Sequence, residues 1–330
     1  MEKLASQLES WYRLNQRDLP FRQTRSAYPV WVSEIMAQQT RIETMLPYYV
    51  RWMEKWPTIQ DLAVAETMDV LKMWEGLGYY NRARNLHLGA KLIESDYHGE
   101  FPSTYTTILQ IPGIGPYTSA AIAAIVYDEK VPAIDGNVLR VVARLLKIES
   151  EISSTVAKSI VQDAMQEWIN DSTPHIFTQA MMELGALICT PASPDCINCP
   201  LQIFCMGYQT GYPQRYPIKK AKGQIPTESY DCFVLSDGNG NIALVDQSDD
   251  SLMKGYYRFP VSDQLLGIQI PDPAYLGVQK HVYSHKIWIT RYFSATIKQG
   301  QAALTWVPEH QIDQLPLIGA HRKFYAKLKV

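Results

Sequence analysis

The chain has 330 residues, 46% hydrophobic and 19% charged, enough to bury the cores of two or three globular domains and too apolar for an intrinsically disordered protein. The formal net charge is −2, with 21 Lys and Arg against 24 Asp and Glu up to Glu228 and a balance of +1 beyond it. A uniformly basic protein that coats nucleic acid is excluded, so contact with a polyanion must come from a shaped local surface. The longest nearly pure apolar run, Ala120 to Tyr127, is far short of the roughly 20 residues that cross a bilayer. The N-terminus lacks the basic start and apolar core of a secretory signal. The expected setting is therefore soluble and cytoplasmic, with no membrane partner.

Residues 1 to about 210 read as helical. Leu4, Leu8, Trp11, Tyr12 and Leu14 recur at helical spacing, and Trp31, Ile35, Met36 and Met45 read as a further stripe. Met68, Val70, Leu71 and Trp74 predict a helix that ends at Gly76 and Gly78. Breaks at Trp56-Pro57, Phe101-Pro102, Ile111-Pro112-Gly113 and Thr173-Pro174 imply short helices joined by short loops. From Gly211 the chain becomes basic and punctuated by Pro and Gly, as linkers are. Beyond it, Tyr230 to Leu235 and Ile242 to Val245 predict a hairpin around Asp237-Gly238-Asn239-Gly240-Asn241, and His281 to Ser294 has strand composition.

Four of the five cysteines, Cys189, Cys196, Cys199 and Cys205, form a Cys-x6-Cys-x2-Cys-x5-Cys pattern. Thiolates this close in sequence suit a tetrahedral zinc or an iron–sulfur cluster, and one Cys-x2-Cys knuckle with longer flanking loops favours the bulkier cluster. Buried thiols or disulfides are the alternative, and a cytosolic setting argues against disulfides. Cys232, alone in a predicted strand, reads as a core residue. Ile111-Pro112-Gly113-Ile114-Gly115-Pro116 sets a glycine turn before an apolar helix. Amides facing outward at a helix start bind phosphate, although an ordinary interhelical turn has the same composition. Some twenty residues on, Ile134-Asp135-Gly136-Asn137 puts an acid at a loop-to-helix junction, where an N-cap is equally expected.

The hairpin, the following Asp and the four cysteines, in this order and spacing, resemble the helix-hairpin-helix DNA glycosylase superfamily with an iron–sulfur cluster. Within it, Val30 to Thr40, Trp74-Glu75-Gly76-Leu77-Gly78-Tyr79-Tyr80, Ile134 to Arg140 and Gln179 to Ala186 resemble the MutY family of adenine glycosylases, which act opposite oxidised guanine. The resemblance covers residues 1 to about 210 and is weaker beyond, where Leu252 to Pro260 is similar to the early part of a Nudix fold. It implies a mainly α N-terminal region, a helix-hairpin-helix glycosylase fold with an iron–sulfur cluster domain, followed by a C-terminal α+β Nudix-like domain. The implied boundaries are 1–26 with 131–210 for the cluster domain, 27–130 for the six-helix domain, 211–228 for a linker and 229–330 for a lesion-recognition domain.

Bifunctional members carry a hairpin lysine whose amine attacks the sugar. Here that position is Tyr117, and no lysine lies between Lys91 and Lys130. The resemblance thus implies a monofunctional enzyme that flips out and excises adenine opposite 8-oxoguanine or guanine. Glu34, among apolar neighbours, would be the acid that protonates N7 of adenine, and Asp135 the ionised carboxylate that stabilises the sugar cation. Tyr117 and Asn137 would hold the carboxylates, the sugar or the attacking water. Cys189, Cys196, Cys199 and Cys205 would bind one four-iron four-sulfur cluster. Arg22 would reach the base or sugar, Gln39, Thr40 and Tyr79 would fill the gap left by the flipped base, and Gly113 and Gly115 would hold a phosphate. The pairs Arg82/Arg84 and Arg140/Arg144 read equally as phosphate contacts or as solvated helix faces. Phe21 and Ala37 depart from the family's usual larger residues and loosen the implied adenine pocket.

Residues 261–308 contain no Glu, which excludes the magnesium-binding glutamate helix of a Nudix pyrophosphatase. The resemblance instead implies lesion reading by Tyr283-Ser284-His285, with Ser284 bonding the altered base. The expected partner is double-stranded DNA holding A opposite 8-oxoguanine or G, bound by a monomer and nucleoid-associated when acting. The alternatives are a thymine or uracil mismatch glycosylase of the same superfamily, against which Glu34 argues, and a non-catalytic damage-binding protein.

Overall fold

The computed structural model describes residues 2–220, 225–247, 253–265, 267–283, 286–299 and 304–328. These form two compact units, Met1–Ala63 with Leu88–Lys222, and Val64–His87 with Gly223–Val330. The first is helical. In chain order the helices are α1 (Glu2–Asn15), α2 (Ala27–Ala37), α3 (Ile42–Lys55), α4 (Ile59–Ala63), α5 (Thr67–Met73), α6 (Asn81–Asp96), α7 (Tyr105–Ile108), α8 (Pro116–Tyr127), α9 (Gly136–Leu145), α10 (Thr155–Asn170), α11 (Pro174–Leu187) and α12 (Met206–Gln209). Of these, α5 and the start of α6 fall in the second unit, whereas the sequence reading puts them in the six-helix domain. The packing of Leu71 and Tyr80 against Tyr256 draws them there.

The apolar run Ala120 to Tyr127 lies in α8. Every residue from Thr118 to Ile125 is buried, as befits a helix surrounded on all faces. The stripe from Trp31 to Met45 is two helices rather than one, because the chain leaves α2 at Gln38 and Gln39 sits at φ 54°. Leu8, Val142, Trp168, Phe177 and Leu184 close a core between α1, α9, α10 and α11, and Cys205 belongs to it. The expected linker begins later than the sequence suggests. Residues 213–218 are built into the helical unit, where Ile218 pairs with Glu151 and the Arg144 guanidinium donates to the carbonyls of Pro213 and Tyr216.

The second unit holds a mixed sheet of β1 (Thr227–Ser236), β2 (Asn241–Asp246), β3 (Tyr257–Arg258), β4 (Ala274–Val282), β5 (Ile287–Thr296) and β6 (Thr305–Pro308), ordered β3-β2-β1-β5-β4, with β6 also on β2. β1 and β5 run parallel, from Thr227 opposite Ile287 to Ser236 opposite Thr296. The stretch of strand composition from His281 to Ser294 holds the end of β4 and most of β5, which pair antiparallel. Asp237 closes the expected turn by accepting from the amides of Asn239 and Asn241. Cys232 is fully buried in this core. A last helix, α13 (Gly319–Leu328), packs Phe324 on Tyr292 with ring centroids 3.6 Å apart.

Candidate active site

A cleft of about 810 Å³ opens in the helical unit and collects most of the residues singled out from the sequence. Glu34 enters from α2, Tyr117 from the first turn of α8, and Asp135 and Asn137 from the start of α9. Gln39 and Thr40, from the chain after α2, and Gly115 also line the cleft.

The two acids are held differently. Glu34 receives a hydrogen bond on Oε2 from the Tyr117 hydroxyl, 2.8 Å away. Burial pushes its carboxyl up to about 7, helped by the charge of Asp135 and opposed by the Tyr117 bond and by Arg22. Burial likewise raises the Tyr117 phenol well above its ordinary value, with Glu34 and Asp135 adding to the effect. Asp135 is the N-cap of α9. Its Oδ1 accepts from the Val138 amide at 2.7 Å, and its Oδ2 accepts from Asn137 Nδ2 at 2.9 Å. The cap and the acidic site suggested by the sequence are thus one arrangement, at the helix end where negative charge is favoured.

Asn137 is held in turn. Its Oδ1 accepts from Arg140, which also donates to the carbonyls of Gly185 and Cys189. Gly185 on α11 makes this approach possible, since a Cβ there would lie 2.6 Å from Asn137 Cβ. Gly113 takes φ 79° in the hairpin turn, and Gly115 caps α8, with Pro116 at the first helical position. Open space lies where a Cβ of Gly115 would be.

Arg22 lines the cleft, but its guanidinium is turned to Glu183, which it grips with both Nη atoms at 2.9 and 2.7 Å. Arg17 binds the same carboxylate from its amide, Nε and Nη2. Glu183 has no exposed side chain. Burial alone would raise its carboxyl, and the bonds from Arg22 and Arg17 overcome this and hold it at about 2. The sequence reading gave Glu183 no role, although a lone acid within the apolar run of α11 signals a buried charged partner.

Of the two arginine pairs, Arg140/Arg144 is not a solvated helix face. Arg140 and Arg144 are buried. Arg144 donates to the carbonyls of Cys189, Thr190 and Pro191 and to Cys189 Sγ at 3.2 Å. In the second unit Arg82 donates to the carbonyls of Leu77 and Gly78, and Arg84 to that of Lys254. Tyr79 also lies in the second unit, at φ 48° and 45% exposed. Ser284 and His285 fall outside the described residues, as does Leu252. Their neighbour Tyr283 borders a cleft of about 310 Å³ walled by Tyr230, Trp288, Arg258 and Lys286.

Cys189, Cys196, Cys199 and Cys205 all face one small cavity beneath Arg144 and Leu201. Burial raises the Cys199 thiol to about 12, with nearby Cys189, Cys205 and Cys196 adding to it. Among the described residues no three His, Cys, Asp or Glu side chains are placed to hold a metal ion. The donor set is four sulfurs around a shared space with a guanidinium beside them. It fits a multinuclear anionic cluster better than one tetrahedral ion.

Residues 32–170 match the family model of the HhH-GPD superfamily base excision DNA repair proteins. The chain is 34% identical over 378 residues to the adenine DNA glycosylase of Mus musculus, covering 91% of this chain and 73% of the mouse protein. It is 37% identical over 299 residues to that of Arabidopsis thaliana, covering 78% of this chain and 47% of the plant protein, so it spans about half of that relative. Among solved structures, a thermostable thymine-DNA glycosylase superposes with a TM-score of 0.58 at 24% identity, over 63% of this chain and 97% of that one. At that identity the likeness speaks for the fold alone.

Proposed function

This chain belongs to the adenine DNA glycosylase family of base-excision repair proteins and is a DNA glycosylase that excises adenine; we propose that it does so without cutting the strand, using Glu34 as acid and Asp135 as ionised partner. The observation that carries this reading is the Glu34–Tyr117 contact at 2.8 Å, in a cleft where burial brings Glu34 to about 7.

At neutral pH a large share of Glu34 is protonated. Tyr117 occupies one carboxyl oxygen and leaves the other to carry the proton to N7 of the flipped adenine. That protonation turns adenine into a better leaving group, and the bond to C1′ of the sugar breaks with its electron pair going to the base. Asp135, oriented by Val138 and Asn137, stabilises the positive charge on the sugar until water adds. No amine replaces Tyr117 in the hairpin, so no Schiff base forms and strand scission needs a separate agent. The glycine turn and the start of α8 offer amides to a backbone phosphate, with Gln39 and Thr40 on the wall of the same cleft; Tyr79, in the second unit, is proposed on its own account as a side chain that fills the gap left by the flipped base. Arg22 acts through Glu183, shaping the cleft wall rather than reaching the base.

The four cysteines would hold one four-iron four-sulfur cluster. When bound, it would cross-link Cys189, just past the end of α11, to Cys196, Cys199 and Cys205, with the Arg144 guanidinium of α9 beside Cys189 offsetting its negative charge. The C-terminal sheet, proposed as Nudix-like, would read 8-oxoguanine or guanine, and the aromatic cleft beside Tyr283 supports that assignment.

Single-turnover excision on duplexes with A opposite 8-oxoguanine, A opposite G, and T opposite G tests the reading. Base release from the first two, with strand cleavage only after alkali, is expected. Release of T alone, or excision unaffected by Glu34→Gln, would overturn it.

A further inference from the structure

In the second unit, the chain between α5 and α6 makes a turn that its glycines accept and Tyr79 does not favour by itself. Gly76, Gly78 and Tyr79 take φ of 101°, 70° and 48°, and for Tyr79, which carries a Cβ, the left-handed backbone is strained. Burial of its own ring does not offset the strain, because Tyr79 is 45% exposed.

Two sets of contacts hold the turn. Within the segment, Trp74 Nε1 donates to the Gly78 carbonyl at 3.1 Å, and Arg82 donates to the Leu77 and Gly78 carbonyls, also at 3.1 Å. The Arg82 charge lies 5.4 Å from the centre of the Tyr79 ring. The other set comes from the C-terminal sequence. Tyr80 packs on the fully buried Tyr256 with ring centroids 4.0 Å apart. The Tyr80 hydroxyl accepts from the Gly319 amide at 2.7 Å, across 239 residues of sequence. The Tyr256 hydroxyl donates to the Leu71 carbonyl at 2.8 Å. Glu75 receives Lys72 and Arg322, and Lys72 also donates to the Leu315 carbonyl.

We propose that Tyr80 and Tyr256 are positioning residues for adenine excision: the clamp they form sets the Trp74–Tyr80 turn and so presents Tyr79 to DNA. The proposal rests on the reading of Tyr79 as a side chain that fills the gap left by the flipped base. The clamp contains none of the residues assigned to lesion reading. Tyr80 does bear electrostatically on Tyr283, but the role proposed for the clamp is to present Tyr79, so it should serve excision opposite guanine as much as opposite 8-oxoguanine.

A double-mutant cycle on the full-length, cluster-loaded protein tests this. Tyr79→Ala, Tyr256→Leu and the double variant are compared by single-turnover excision of A opposite 8-oxoguanine and A opposite G. Each single change is expected to slow both reactions by about tenfold, and the double variant to be no slower than Tyr79→Ala alone, because residues acting through one another do not add. Tyr256→Phe, which keeps the ring, should recover most of the rate. Losses that multiply in the double variant, or a loss confined to the 8-oxoguanine duplex, would overturn the proposal while leaving the role of Tyr79 intact. Full activity of Tyr79→Ala would remove the reading beneath it. Should Tyr256→Leu fail to fold, Tyr80→Phe, which deletes the hydroxyl bound by Gly319, takes its place in the same cycle.

Discussion

Glu34 and Glu183 share one cleft wall and carry the same functional group, yet their surroundings drive them in opposite directions. Burial with one phenol as partner raises Glu34 to about 7, whereas two guanidinium groups hold Glu183 at about 2 despite its burial. The single-turnover rate should therefore fall tenfold per pH unit above about 7, as the acid form of Glu34 is lost. Since the Tyr117 bond lowers Glu34, Tyr117→Phe should move that alkaline limb to higher pH, which a rate–pH profile would register. Glu34→Gln should lose about 10² to 10⁴ in rate below about pH 7, with the gap to the wild type closing as pH rises along the alkaline limb. The linkage to stability has opposite signs as well. Glu34, raised from 4.5, contributes stability below that value that is lost as pH rises through about 7. Glu183, lowered from 4.5, contributes above that value and loses its contribution as pH falls through about 2. Glu183→Ala leaves Arg17 and Arg22 without their carboxylate and should cost about 3–5 kcal/mol in denaturant unfolding.

Two helix starts build the site. α8 begins at a glycine turn with Pro116 in its first position, and α9 begins at the Asp135 cap. Both starts were legible because their signals are local: glycine for the turn, proline for the first turn of helix, a short acid for the cap. What the local signals do not carry is the third helix that locks them. Gly185 on α11 lets Asn137 approach so closely that any Cβ would collide with it. Gly185→Ala is accordingly expected to cost about 1–3 kcal/mol through overpacking, and to slow excision as well by displacing Asn137 from Asp135. Thermal unfolding and single-turnover rates measured on the same sample check both parts. If the rate is unchanged despite lost stability, Asn137 does not need that position. The division of one apolar stripe into α2 and α3 escaped periodicity for a similar reason: the left-handed conformation at Gln39 leaves no compositional mark.

On the scale of the molecule, the helical unit and the sheet unit each close a core of their own. Cys205 belongs to the helical core, and Cys189 and Cys199 pack against it. Removing the proposed cluster by chelation should therefore lower the unfolding temperature of the helical unit and leave the transition of the sheet unit in place, so calorimetry should resolve two transitions of which only one moves. A single transition that shifts as a whole would show that the units unfold together. The low net charge has its counterpart here too. Arg82, Arg140 and Arg144, three of the 31 basic residues, turn their guanidinium groups to carbonyls and a thiol of the fold.

The sequence by itself determined the chemistry on offer: an acid in an apolar helix, an acid at a helix start, a tyrosine where a lysine would make a lyase, and four thiols in a short span. Each depends on residue type and near neighbours, which a linear reading captures. Only the tertiary structure decided how these groups act on one another. Residues 83 positions apart had to meet before Tyr117 could hold Glu34, and 161 before Arg22 could grip Glu183. Burial and charge pairing are properties of the assembled interior, and they are what separates the two glutamates of one cleft into an acid and an anion.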